Sequence, residues 1–136
     1  MLYVIWRGNH PELSYVGGQR NVIHLVFDPT AVANWASSNG RRYFITDVTA
    51  ACDYFTAYDN LDALNLLDWK AINAYSWSDV TDRKQAEFLS EDRVPISLLS
   101  GIGVINQEVK TGVVQTLKMH GLDGKVDVAV RPQWYY

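Results

Sequence analysis

At 136 residues the chain has the length of one domain with a hydrophobic core of its own, and its 48% apolar and 20% charged residues are ordinary for a globular protein. No apolar run reaches the length of a membrane span, and the apolar start, Met1 to Trp6, is too short for a signal-peptide core. Twelve basic against 15 acidic groups give a net charge of −3, which argues against nonspecific coating of nucleic acid, because such binding is driven by phosphate neutralisation, but leaves room for a local basic groove.

In chain order, Leu2 to Trp6 reads as a strand. A polar loop follows, Gly8-Asn9-His10-Pro11 and then Gly17-Gly18-Gln19, where the two glycines predict a tight turn with positive φ. From Val22 to Asp28 the residues alternate, Ile23, Leu25 and Phe27 against Val22, His24 and Val26, which predicts a strand with both faces partly covered. Asp28-Pro29 is a helix start, Asp as N-cap and Pro at the first helical position, and Asn39-Gly40 is its stop.

Arg41 to Thr46 is the next expected strand. The stretch from Asp47 to Arg83 is weakly periodic and rich in aromatics (Tyr54, Phe55, Tyr58, Trp69, Tyr75, Trp77), with helix expected around Leu61 to Ala71. For most of these rings the bland reading is core filling. Lys84 to Leu89 and Ile102 to Ile105 read as strands. Gln107 to Met119 is a predicted helix, with Val109, Val113 and Leu117 at four-residue spacing and Gly121 as a stop. Val126, Val128 and Val130 alternate in a last strand that ends before Pro132. Strands cluster with few helices between them, so the expected class is α+β.

Several chemistries fail on the residues. His10, His24 and His120 are scattered and Cys52 is the lone cysteine, so no metal set forms, and no internal disulfide either, which fits a reducing cytoplasm. His24 lies in an apolar strand and reads as a hydrogen-bonded core residue. Gly17-Gly18 lacks the lysine of a phosphate loop, and no serine stands in a nucleophile-elbow context.

Glu87 remains. It is the one carboxylate in Lys84-Gln85-Ala86-Glu87-Phe88-Leu89, and burying an unpaired carboxylate costs several kcal/mol. The bland reading is a strand-edge side chain facing water. Against it stand the packing neighbours Ala86, Phe88 and Leu89, the cations Arg83 and Lys84 just upstream, and aromatics available for a base to stack on.

Met1-Leu2-Tyr3-Val4-Ile5-Trp6-Arg7-Gly8-Asn9, Gly17-Gly18-Gln19 leading into Val22-Ile23-His24-Leu25, Lys84 to Leu89, Ile102-Gly103-Val104 and Pro132-Gln133-Trp134-Tyr135-Tyr136 occur in that order along almost the whole chain. Together they resemble the DarT family, the DNA ADP-ribosyltransferase toxins of bacterial toxin–antitoxin pairs. The resemblance implies an ADP-ribosyltransferase-like split β-sheet sandwich with peripheral helices around an NAD cleft. It implies transfer of ADP-ribose from NAD+ to thymidine bases of single-stranded DNA, with no metal, in the cytoplasm, and a macrodomain antitoxin of the DarG kind as partner.

Glu87 matches the family's catalytic Glu, and the segment from about Phe44 to Glu87 matches the loop that shapes the substrate site. Arg41, Arg42, Thr49, Arg83 and Lys84 are the candidate DNA contacts, with solvated surface as the alternative for the arginines. Thr49 stands where family members often carry a His. Family members also have a preceding segment with a nicotinamide-contacting His and a catalytic Arg. The match therefore predicts one domain over residues 1–136, an N-terminally truncated, C-terminal portion of the family's domain. Two rivals stay open: a non-catalytic module that binds DNA or an antitoxin, and an unrelated hydrolase pairing Glu87 with Asp47.

Overall fold

The computed structural model describes residues 2–8, 11, 14–74 and 80–136. Its elements are α1 (Leu2–Arg7), β1 (His24–Phe27), α2 (Pro29–Ser38), β2 (Tyr43–Thr46), β3 (Ala57–Tyr58), α3 (Trp69–Ile72), β4 (Glu87–Ser90), β5 (Leu99–Val104), α4 (Gln107–Met119) and β6 (Asp127–Val130), with short 3-10 turns between them. Contacts divide the chain into two compact units, Met1–Phe27 with Leu99–Tyr136, and Asp28–Leu98. Each holds one three-stranded sheet.

The first unit is built on the order β1-β5-β6. β1 runs antiparallel to β5, His24 opposite Gly103, and β5 runs parallel to β6, Ile102 opposite Val128. Parallel neighbours need a crossover, and α4 supplies it. Asn106 caps α4 by accepting from the Val109 N–H at 3.0 Å. The core is Leu99, Ile102, Val104 and Val128, against which Phe27, Val109, Val113 and Leu117 pack. Within β1, His24, Val26 and Phe27 are half-buried and Leu25 is 50% exposed, so the Leu25–Phe27 side is covered at Phe27 and open at Leu25.

Close packing at the chain's end explains one glycine. Trp134 lies over Gly103, where any Cβ would overlap its ring. Tyr135 donates its hydroxyl to the carbonyl of Val22 (2.9 Å), with the Gly103 carbonyl also within reach (3.3 Å), and the buried Gln19 amide pairs with both main-chain groups of Tyr136. His24 sits edge-on to Trp134 and Tyr135 with ring centroids 5.5 and 4.9 Å away. Its Nε2 is buried and has no hydrogen-bond partner among the described residues, contrary to the expected hydrogen-bonded histidine. Burial lowers its pKa. Gly18 takes the predicted positive φ of 62°.

The second unit carries the antiparallel order β3-β2-β4. Ile45 and Thr46 of β2 are its most buried strand residues, at 1% and 0% exposure. Ile45 lies opposite Phe88, and Thr46 opposite Glu87. The predicted start of α2 is present: Asp28 accepts from the N–H groups of Thr30 (2.7 Å) and Ala31 (3.0 Å). Val32, Ala33 and Ala36 form its buried face, and the helix packs against β4.

Three further expectations need correction. Leu2–Arg7 is a helix, not a strand; a short continuous apolar run carries no period, so it suits either. Arg83–Gln85 forms a 3-10 turn and the strand starts only at Glu87, so Lys84 and Gln85 lie outside it. The third concerns the aromatics. Tyr54 (65%), Phe55 (40%) and Trp69 (50%) are exposed, not core filling, and only Tyr58 is half-buried. Tyr75, Trp77 and His10 lie outside the described residues. Of the expected helix over Leu61 to Ala71, a 3-10 turn (Leu61–Asn65) and α3 are observed.

Candidate active site

Glu87 opens β4, and its position is set from two sides by β2 and the turn that follows it. Its backbone N–H donates to Thr46 Oγ1 at 3.2 Å. Its carboxylate accepts from the backbone N–H of Ala50 at 2.8 Å on Oε2, and Thr49 Oγ1 lies 3.5 Å from Oε1. The turn is itself closed on Thr49, whose carbonyl accepts from the N–H (3.3 Å) and the thiol (3.0 Å) of Cys52. Glu87 is half-buried, and among the described residues no cation lies within salt-bridge distance of it.

A carboxylate so held has a fixed orientation, supplied by neutral donors, with no cation bonded to it among the described residues. That combination suits a group that must meet a positive charge developing in a substrate. Ala50 and Thr46 were invisible as site residues in the sequence. Ala50 contributes only its main chain, which carries no side-chain signal, and Thr46 contributes a fully buried hydroxyl from a strand read simply as structural.

The candidate cations stand differently. Arg41 pairs with Asp92 at 3.3 Å. Arg42 pairs with Glu91 at 3.1 Å, and its own backbone N–H also donates to that carboxylate. These hydrogen bonds hold the Glu91 carboxyl below its ordinary range. Arg83 donates to Asp68 at 2.6 Å, and Lys84 Nζ to the carbonyls of Ile72 (2.7 Å) and Ala74 (2.6 Å), the C-terminal side of α3. Of the five candidate DNA contacts, Thr49 is the one in contact with Glu87; each of the cations is engaged with a carboxylate or with carbonyls of its own unit.

Asp47, the second carboxylate of the hydrolase reading, is tied to the residue that precedes β3. It accepts from the Thr56 N–H at 2.8 Å, and that bond, foremost, lowers its pKa. A lowered pKa fits a nucleophile or base and not a general acid. Among the described residues no cluster of three or more His, Cys, Asp or Glu is placed to hold a metal ion.

Known proteins match this chain in sequence and in fold. A family model described as ssDNA thymidine ADP-ribosyltransferase, DarT, matches residues 1–136. A DNA ADP-ribosyl transferase of Thermus aquaticus is 37% identical over 137 residues, covering 100% of this chain and 58% of the relative. A Thermus sp. 2.9 DarT solved in complex with NAD+ superposes with a TM-score of 0.87 at 33% identity, over 99% of this chain and 66% of that one. The same Thermus sp. 2.9 protein in complex with ADP-ribosylated ssDNA gives the same TM-score, over 99% of this chain and 63% of that one. The chain thus spans about three-fifths of the length of the curated relatives it matches (58% and 63%). Its fold is the α+β fold of these ADP-ribosyltransferases.

Proposed function

We propose a function from one premise: this chain belongs to the DarT family. It transfers ADP-ribose from NAD+ to a thymidine base in single-stranded DNA, as the toxin of a toxin–antitoxin pair acting in the cytoplasm. The observation that carries this reading is the carboxylate of Glu87, oriented by the Ala50 N–H and free of a cationic partner among the described residues.

Cleavage of the bond between nicotinamide nitrogen and the ribose anomeric carbon leaves positive, oxocarbenium-like charge on the sugar. Glu87 stabilises that charge and orients the ribose hydroxyls. A thymine ring nitrogen then forms the new bond to the anomeric carbon, its electron pair replacing that of the departing nicotinamide, while Glu87 accepts the ring proton. Both roles fall to one side chain, so its geometry must be rigid, and a strand start bonded to a closed turn supplies that rigidity.

Arg41, Arg42, Arg83 and Lys84 serve the DNA backbone in this reading. A phosphate oxygen would take over part of the hydrogen bonding that Asp92, Glu91, Asp68 and the α3 carbonyls now provide. Thr49 lies where the target base would meet Glu87. A macrodomain antitoxin of the DarG kind is the expected partner that removes the modification.

The test is incubation of the chain with NAD+ and a thymidine-containing single-stranded oligonucleotide, read by mass spectrometry. The expected result is addition of one ADP-ribose by the wild type and none by Glu87→Ala. Modification that persists in Glu87→Ala overturns the mechanism. DNA binding without modification establishes the rival reading, a non-catalytic binding module.

A further inference from the structure

Two large aromatic side chains in the second unit are exposed in an unusual manner. Tyr54 is 65% exposed, yet its hydroxyl donates to Asp82 Oδ2 at 2.9 Å. Trp69 is 50% exposed, yet its indole N–H donates to the Leu64 carbonyl at 2.7 Å. In each case the polar end is tied to the protein while the apolar ring meets water. The ordinary arrangement is the reverse, with the ring buried and the polar tip wet.

The two rings are also linked to one another. Asp82, which holds Tyr54, precedes Arg83, and Arg83 donates to Asp68, the N-cap residue that immediately precedes Trp69. One chain of contacts, Tyr54–Asp82–Arg83–Asp68–Trp69, therefore fixes both rings on the segment between β2 and β4. At its two ends that segment carries the turn that holds Glu87 and Glu87 itself.

We infer that Tyr54 and Trp69 are stacking platforms for bases of single-stranded DNA flanking the reacting thymidine. The inference rests on the proposed function for its ligand and deepens it. Anchored rings lose little conformational freedom on binding, so a planar base face gains the stacking without an ordering cost. At the rings themselves the local charge favours bases over phosphates, because Asp68 and Asp82 flank them, while Arg83, bonded to Asp68 between them, is the point at which the backbone is met. A strand lying here turns the bases that flank the thymidine toward the rings. The stacking contribution is weakly dependent on salt, unlike the phosphate contacts of the cations.

The experiment measures binding of a fluorescein-labelled, thymidine-containing single-stranded oligonucleotide by anisotropy, over a range of salt concentrations. Trp69→Leu and Tyr54→Leu are each expected to weaken binding by roughly 5- to 150-fold, the worth of one base–aromatic stack, with the salt slope unchanged. Trp69→Phe and Tyr54→Phe, which keep a ring but lose its anchoring bond, fall between the wild type and the Leu variants. Replacing flanking nucleotides by abasic spacers supplies a second readout on unaltered protein: the spacers weaken the wild type and have little further effect on the Leu variants. Wild-type binding that neither the Leu variants nor the spacers change overturns the stacking inference alone and assigns the rings to another partner, such as a protein. Failure of the wild type to bind any single-stranded oligonucleotide overturns the proposed substrate class together with this inference.

Discussion

The backbone N–H of Ala50 donates to Oε2 of Glu87 at 2.8 Å across 37 residues of chain. This bond makes the carboxylate a positioned group and not a surface one, since a neutral donor orients it without neutralising it. With Thr49 Oγ1 at 3.5 Å from the other oxygen, the turn after β2 determines where the negative charge points.

Glu87→Gln therefore separates charge from shape. The amide oxygen can still accept from Ala50, so the fold is expected to survive with a change within about 1 kcal/mol. ADP-ribosyl transfer should fall by at least roughly a hundredfold, comparable to removing one preorganised electrostatic contact from other active sites. Single-turnover transfer beside a thermal melt reads both quantities; equal transfer by the variant sinks the role assigned to the charge.

Thr46→Val tests the other side of the cradle. Thr46 is 0% exposed and its hydroxyl accepts the Glu87 N–H at 3.2 Å. Valine fills the same volume but leaves that donor without a partner, which costs about 1–3 kcal/mol. Urea unfolding should show the midpoint falling, with Thr46→Ser closer to wild type because the acceptor is kept. A Val variant as stable as wild type refutes this account of the bond.

His24 gives the protein a pH dependence with a definite sign. Burial depresses its folded-state pKa below the ordinary value near 6.5, so the folded state favours neutral imidazole. The stability this provides is present above the unfolded pKa of about 6.5 and is lost as pH falls through the folded value. The melting temperature should be lower at about pH 5 than at about pH 8, and His24→Phe, which still packs against Trp134 and Tyr135, should narrow the difference. An unchanged difference in the variant assigns the pH dependence to other groups.

Gly103→Ala probes the closure of the chain's end. A Cβ there overlaps the Trp134 ring, so the ring must leave the face of the sheet. Overpacking of this kind costs about 1–3 kcal/mol. Loss of the near-ultraviolet circular dichroism of Trp134, together with a lowered melting temperature, is expected; an unchanged spectrum contradicts the packing described.

Much of the fold was readable one element at a time. Asp28-Pro29 announced α2, and α4 was expected over Gln107–Met119, where it stands. Caps and helical periodicity involve contacts three or four residues apart, so their signals lie within a short window of sequence. Leu2–Arg7 shows the limit: an apolar run without period left helix and strand equally allowed. Tyr54 and Trp69 show another, because composition assigns aromatics to cores and says nothing of which ring end is tied down.

The sequence by itself determined which carboxylate to watch, since Glu87 stands alone among uncharged neighbours, and its family resemblance along nearly the whole chain. Only the tertiary structure decided what that carboxylate touches, and that Arg42 is bound to Glu91 across 49 residues. The reason is physical. A side chain's type and local rhythm are properties of neighbours in sequence, whereas a hydrogen-bond partner is chosen by which backbone groups the strand pairing of β2 and β4 brings within about 3 Å.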